Sequence, residues 1–254
     1  MFDAPPTRLD LNFRLLGFPV RVSPWFWGVT VLFGLPLANR LGPAALLLWV
    51  GCVFGSILLH ELGHAVAYRW YGAWATQIVL HGFGGYARAD RRPATAGRRI
   101  LVALAGPGVQ FALFGLLVGS HLATGWATTN EWTELLFDFL TWINLAWPVL
   151  NLLPVFPLDG GQVARELFGL ARVRQAEAKT YGVGVAVAGG LAVLSLLLMA
   201  NVLPPEVAAR VPRVLRLGQI GVLFFGLLAW QNYQLMRAAR RAYAWDDDPF
   251  RRRW

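Results

Sequence analysis

Six long apolar runs separated by short connections constrain this chain more than any other feature of its sequence. A helix needs about 20 mostly apolar residues to cross the hydrocarbon of a bilayer. We expect six transmembrane helices, at residues 22–39, 43–67, 100–122, 135–153, 182–203 and 214–236. No room is left for a separate soluble domain, so we expect one membrane domain over residues 1–254.

The composition supports the same class. Of the 254 residues, 56% are hydrophobic and 15% are charged, which is outside the range of soluble domains. The single cysteine, Cys52, excludes an intrachain disulfide. The first twenty residues do not resemble a signal peptide, and we expect the chain to be complete. The sequence predicts an all-α polytopic membrane protein.

The basic residues predict an orientation. Although the net charge is +9, the arginines lie in short clusters between apolar runs, which argues against a nucleic-acid partner. Of the 23 Lys and Arg residues, 19 lie in residues 1–21, 68–99, 154–181 and 237–254. Basic residues near span ends stay cytoplasmic. We therefore expect both termini, and the ends of the second and fourth spans, on the cytoplasmic side.

An H-E-x-x-H pattern lies near the end of the second run, as His60-Glu61-Leu62-Gly63-His64. On a helix, side chains four residues apart project from one face, so His60 and His64 could bind one zinc ion. Glu61 lies at an adjacent angle, where its carboxylate can take a proton from a zinc-bound water without being a ligand. The pattern predicts a catalytic zinc with Glu61 as the general base.

A chance match is the alternative explanation of this pattern. In a soluble protein, an ordinary surface His-Glu pair would account for it. Inside a membrane span, ionisable groups are costly and persist where they pair, bind an ion or line a cavity. We therefore favour the metal site.

A catalytic zinc takes a third protein ligand and leaves one position to water. Asp159 is the best candidate, because Pro154 and Pro157 end the fourth helix and leave Asp159 in a loop on the same face as the histidines. As an alternative, Asp159 could be the N-cap of a following helix, with Gln162 completing a capping box. The missing third ligand favours coordination.

Two asparagines of the fourth span are candidates for contact with a substrate. Asn151 could donate to a substrate carbonyl or simply bond within the bundle, and its spacing leaves both open. Asn144 lies one heptad before it, on roughly the same face, and could line the same cavity.

Residues 76–90 predict a small β-hairpin between the second and third spans, because β-branched residues precede a glycine-rich turn. The hairpin could be a loop without a role. Alternatively it lies beside the active site, where its free edge could pair with an unwound substrate by strand addition.

Together these motifs resemble the site-2 protease family of intramembrane zinc metalloproteases. The resemblance rests on H-E-x-x-H at His60 to His64 and on N-x-x-P-x-x-x-x-D-G from Asn151 through Pro154 to Asp159-Gly160. It implies one zinc per chain held by His60, His64 and Asp159, with Glu61 as the base and Asn151 positioning substrate. It covers a catalytic core of three helices, roughly residues 43–160.

The chain departs from many relatives in the stretch AGPGVQ, where Gln110 stands in place of an expected asparagine. No regulatory PDZ or CBS domain fits in the chain. Access to the site would then be controlled by the bundle itself, by a regulatory membrane protein, or by trimming of the substrate before it enters the site.

The expected function is hydrolysis of transmembrane protein substrates near the cytoplasmic side of the bilayer, in the plasma membrane of a prokaryote. A membrane metal-ion transporter is an alternative, but it would need a relay of ligands along a path. A catalytically silent scaffold of the same fold is another, and the intact His60, Glu61, His64 and Asp159 argue against it.

Overall fold

The computed structural model describes residues 5–82, 84–216 and 218–246. The helices are α1 (Pro24–Leu41), α2 (Pro43–Trp70), α3 (Ala96–Thr124), α4 (Glu131–Asn151), α5 (Asp159–Leu170), α6 (Ala176–Met199), α7 (Pro205–Arg210) and α8 (Gly218–Asp246). The strands are β1 (Leu11–Leu15), β2 (Phe18–Val22), β3 (Thr76–His81) and β4 (Gly84–Ala89). Both termini, whose cytoplasmic location was predicted, lie outside the described residues.

Each of the six predicted spans corresponds to a helix. Among the described residues, α2, α3 and α6 are long and apolar enough to cross a membrane. The prediction of an integral membrane protein is therefore confirmed by the length and composition of these helices. Membrane crossing by α1, α4 and α8 stays a prediction, as do the orientation and the single domain.

The predicted hairpin is present and belongs to a larger sheet. Strands β3 and β4 pair antiparallel, from Thr76 opposite Ala89 to His81 opposite Gly84. Strand β2 pairs parallel with β3 and antiparallel with β1, which gives the order β1-β2-β3-β4. The chain is thus mostly helical with a small four-stranded sheet.

The sequence analysis missed the first two strands. Strand β1, LNFRL, alternates apolar and polar residues, and this local signal was not used. Strand β2 is almost wholly buried. The two strands are joined by a tight turn at Leu16 and Gly17, both with positive φ, and Gly17 was its signal in the sequence.

By internal contacts the chain forms two compact units, Met1–Val149 and Leu150–Trp254. The first has a core in which sheet residues such as Phe18, Ile78 and Leu80 pack with Phe26 of α1 and Ile57 of α2.

The second unit has a smaller core. Val155, which precedes α5, packs there with Ala188 of α6 and with Phe225 and Leu228 of α8.

Candidate metal centre

The two histidines of the H-E-x-x-H pattern meet on one face of α2, as their spacing predicts. His60 and His64 are 2% and 7% exposed, and their Nε2 atoms lie 3.1 Å apart. Glu61 is also buried. Three ionisable groups are therefore concentrated within two turns of a helix that is long and apolar enough to span a membrane.

Hydrogen bonds from α3 fix the tautomer of each histidine. Gln110 Nε2 donates to the Ser56 carbonyl (3.2 Å), which leaves Gln110 Oε1 facing His60 Nδ1 at 2.8 Å. His60 Nδ1 must then carry the hydrogen. His64 Nδ1 lies 2.7 Å from the carbonyl oxygen of Val102, which can only accept, so it is also protonated. In the neutral form of each ring, Nε2 then has the lone pair that ligation requires.

This arrangement suits a cation. Two imidazole Nε2 atoms at 3.1 Å need a shared proton or a bound cation between them, because two facing lone pairs would repel. Ligand atoms of a tetrahedral zinc with bonds of about 2.1 Å lie roughly 3.4 Å apart, close to the observed separation.

The backbone of α3 lies directly against the two rings at Gly106. A Cβ built on Gly106 would come within 2.9 Å of His60 Nε2 and nearer still to His64 Nε2. Only glycine permits this approach. The sequence analysis did not select Gly106, although a glycine inside a predicted span marks a place where helices approach closely.

Strand β4 lies beside Glu61. A Cβ built on Gly85 would meet the Glu61 side chain, at 2.6 Å from Cγ and 2.8 Å from Oε1. The predicted hairpin is therefore next to the carboxylate expected to act as the base.

Asp159, in the second unit, is the first residue of α5 and is 6% exposed. The N-cap is Leu158, with no side-chain capping bond, and the Gln162 amide donates to the Pro157 carbonyl at 3.4 Å. The capping-box alternative is therefore wrong. A carboxylate in the first turn is stabilised by the helix dipole.

His60, His64 and Asp159 make up a group able to hold a metal, with one ligand atom from each residue within 4.8 Å of the others. Two imidazoles and one carboxylate are a donor set of catalytic zinc sites. The donor set and the histidine tautomers both fit zinc.

Comparison with known proteins also shows similarity to metalloproteases. Residues 121–197 match the model of peptidase family M50. The chain superposes on the site-2 protease from Methanocaldococcus jannaschii with a TM-score of 0.58, at 22% identity, over 89% of this chain and 95% of that one. This chain matches peptidase family M50 and has the site-2 protease fold. The predicted resemblance is therefore confirmed.

A sequence relative extends this comparison. The chain is 36% identical over 87 residues to a protein of Synechocystis sp. that is named as a candidate zinc metalloprotease. The match covers 34% of this chain and 22% of that protein, so it spans about a fifth of the relative's length.

Within this site-2 protease fold, Gln110 has a defined place. It is fully buried and joins α3 to two residues of α2. The departure from the family pattern at this position thus preserves an acceptor for His60 Nδ1.

The two candidate asparagines have different surroundings. Asn144 is fully buried, and its Nδ2 donates to Ser56 Oγ and to the Leu140 carbonyl, both at 2.9 Å. Its Oδ1 accepts no hydrogen bond from the part of the chain that the structure describes. Asn151 is the last residue of α4 and is half-buried. A contact of either residue with substrate stays a prediction.

A further histidine, His81, ends β3. It is buried, and its ring lies 5.7 Å from that of Tyr86. Burial, and secondly the charge of Arg21, lower the pKa of His81 below its usual value.

Proposed function

We propose that this chain is an intramembrane zinc metalloprotease that hydrolyses peptide bonds of transmembrane protein substrates. The observation that carries the proposal is the buried group of His60, His64 and Asp159, with Glu61 next to the first ligand. A zinc ion held there would polarise a carbonyl and activate water.

The side chains of this chain have separate roles in the reaction. His60, His64 and Asp159 bind the metal through two Nε2 atoms and a carboxylate oxygen. Glu61 takes a proton from the attacking water as the new C–O bond forms, and returns it to the leaving amine as the C–N bond breaks. Asn151 and Asn144 help to position the substrate.

Strand β4 provides a place for the substrate backbone. Among the described strands β4 pairs with β3 alone, so its other edge has no strand partner there, and its Gly85 lies against Glu61. A helical substrate hides its amide bonds, and strand addition to this edge would expose them beside the base.

The proposal also covers the substrate, the membrane and the control of access to the site. The substrate is a membrane-spanning protein in the bilayer of a prokaryotic plasma membrane, and cleavage occurs near the cytoplasmic side. Access to the site is controlled by the bundle itself, by a regulatory membrane protein, or by trimming of the substrate beforehand.

The decisive experiment is Glu61→Gln in the full chain, measured for bound zinc and for cleavage of a transmembrane substrate. We expect about one zinc per chain to be retained, because Glu61 is not a ligand, and cleavage to be lost. Glu134→Gln, an exposed change in α4, is the control and should cleave normally. Unchanged cleavage by Glu61→Gln would contradict the role of Glu61. Zinc flux without proteolysis in the parent would favour a transporter.

A further inference from the structure

The segment that leads to Asp159 is held by local turns and by one side chain of another helix. Residues 152–158 connect α4 to α5 without regular secondary structure, and Pro154 and Pro157 provide no N–H. Local turns bind three N–H groups of this segment. Buried backbone groups need hydrogen-bond partners, and the N–H and carbonyl of Phe156 take theirs from α8.

Asn232 of α8 supplies those partners. Its Nδ2 donates to the Phe156 carbonyl at 2.6 Å, and its Oδ1 accepts from the Phe156 N–H at 3.2 Å. The second Nδ2 hydrogen goes to the Leu228 carbonyl at 2.8 Å, one turn before it in α8. A single side chain thus binds both polar groups of a residue that lies three positions before Asp159.

Asn232 lies in a closely packed environment that holds its side chain in place. The side chain is fully buried. It lies against Gly184 of α6, where an added Cβ would come within 2.7 Å of Asn232 Cγ. Next to Phe156, Val155 is fully buried against Phe225 and Leu228 of α8. The segment before α5 is therefore fixed to α8 by packing and by hydrogen bonds.

We propose that Asn232 is a positioning residue for the metal centre, acting through the backbone of Phe156 on the placement of Asp159. This inference rests on the proposed function, since it takes Asp159 as a zinc ligand. Zinc sites tolerate errors of about 0.2 Å in ligand distance, so a ligand at the start of a helix needs the preceding segment to be held in place.

The test compares zinc binding by Asn232→Leu and Gln234→Leu in the purified full chain. Zinc affinity is measured by competition with a chromophoric chelator, and ligand geometry by the visible spectrum of bound Co²⁺. Asn232→Leu keeps the number and branching of the side-chain heavy atoms but removes all three hydrogen bonds. We expect at least a tenfold loss of zinc affinity and an altered cobalt spectrum. Gln234→Leu, the same type of change at an exposed position of α8, should leave both metal readouts unchanged.

Two further variants keep the inference testable. If Asn232→Leu does not fold, Gly184→Ala decides, because its Cβ displaces Asn232 without removing the amide, and we expect it to weaken zinc binding. Parental affinity and an unchanged cobalt spectrum in the folded variant would overturn the inference. Asp159→Asn separates the two proposals: if this variant binds zinc like the parent, or if the parent binds none, the metal centre itself is wrong.

Discussion

At the scale of single residues, the chemistry of the site depends on which nitrogen of each histidine carries a proton. His64 receives its tautomer from a backbone carbonyl, which no side-chain substitution removes. His60 receives its tautomer from the Gln110 side chain. This difference makes His60 the proposed ligand whose basicity can be changed by a substitution on another helix.

Gln110→Leu should weaken zinc binding by roughly tenfold or more, because it removes the acceptor that orients His60. It also leaves the Ser56 carbonyl without the bond that Gln110 donates. Gln77→Leu, the same change at an exposed position of β3, is the control. Chelator competition on the purified proteins measures the effect, and equal zinc affinity in the two variants would show that Gln110 does not support the site.

At the scale of elements, the site requires α2 and α3 to approach closely where His60 and His64 face Gly106. Neither helix produces this contact from its own periodicity, because the histidines are on one element and the glycine is on the other. The packing of the two helices therefore determines whether the ligand atoms are accessible to a metal.

Gly106→Ala should abolish or strongly weaken zinc binding, because the new methyl group would occupy the space next to both Nε2 atoms. Gly108→Ala is a matched control two residues away in the same helix, where an added Cβ meets nothing within 4 Å. Alanine favours a helix over glycine by about 1 kcal/mol, so the control should bind zinc normally and be no less stable. Normal zinc binding by Gly106→Ala would contradict the described helix packing.

At the scale of the whole molecule, the proposed cleavage near the cytoplasm depends on the orientation of the helices in the membrane. The distribution of basic residues, 19 of 23 on one side, is the basis of that orientation. The loop after α3 should then be outside and the segment before α3 inside.

Single-cysteine labelling tests this orientation in a Cys52→Ser background, since Cys52 is the sole cysteine. We expect Thr128→Cys, after α3, to react with a membrane-impermeant maleimide on intact cells. Ala94→Cys, before α3, should react only after permeabilisation. Both positions are exposed. The reverse labelling pattern would place the predicted cytoplasmic segments outside.

Much of this architecture could be predicted because its signals are local. The helices follow from apolar runs, the β3–β4 hairpin from its glycine-rich turn, and the meeting of His60 and His64 from helical spacing. The pairing of β2 with β3 could not be predicted, because it joins segments more than 50 residues apart.

The sequence by itself determined the helical membrane class and the types of residue at the metal centre, because periodicity and residue chemistry are properties of neighbouring positions. Only the tertiary structure decided which groups support those residues. Gln110 reaches His60 across 50 positions of the chain, and Asn232 reaches Phe156 across 76. Such partners become neighbours when helices pack, and the hydrogen bonds that orient a ligand depend on that packing.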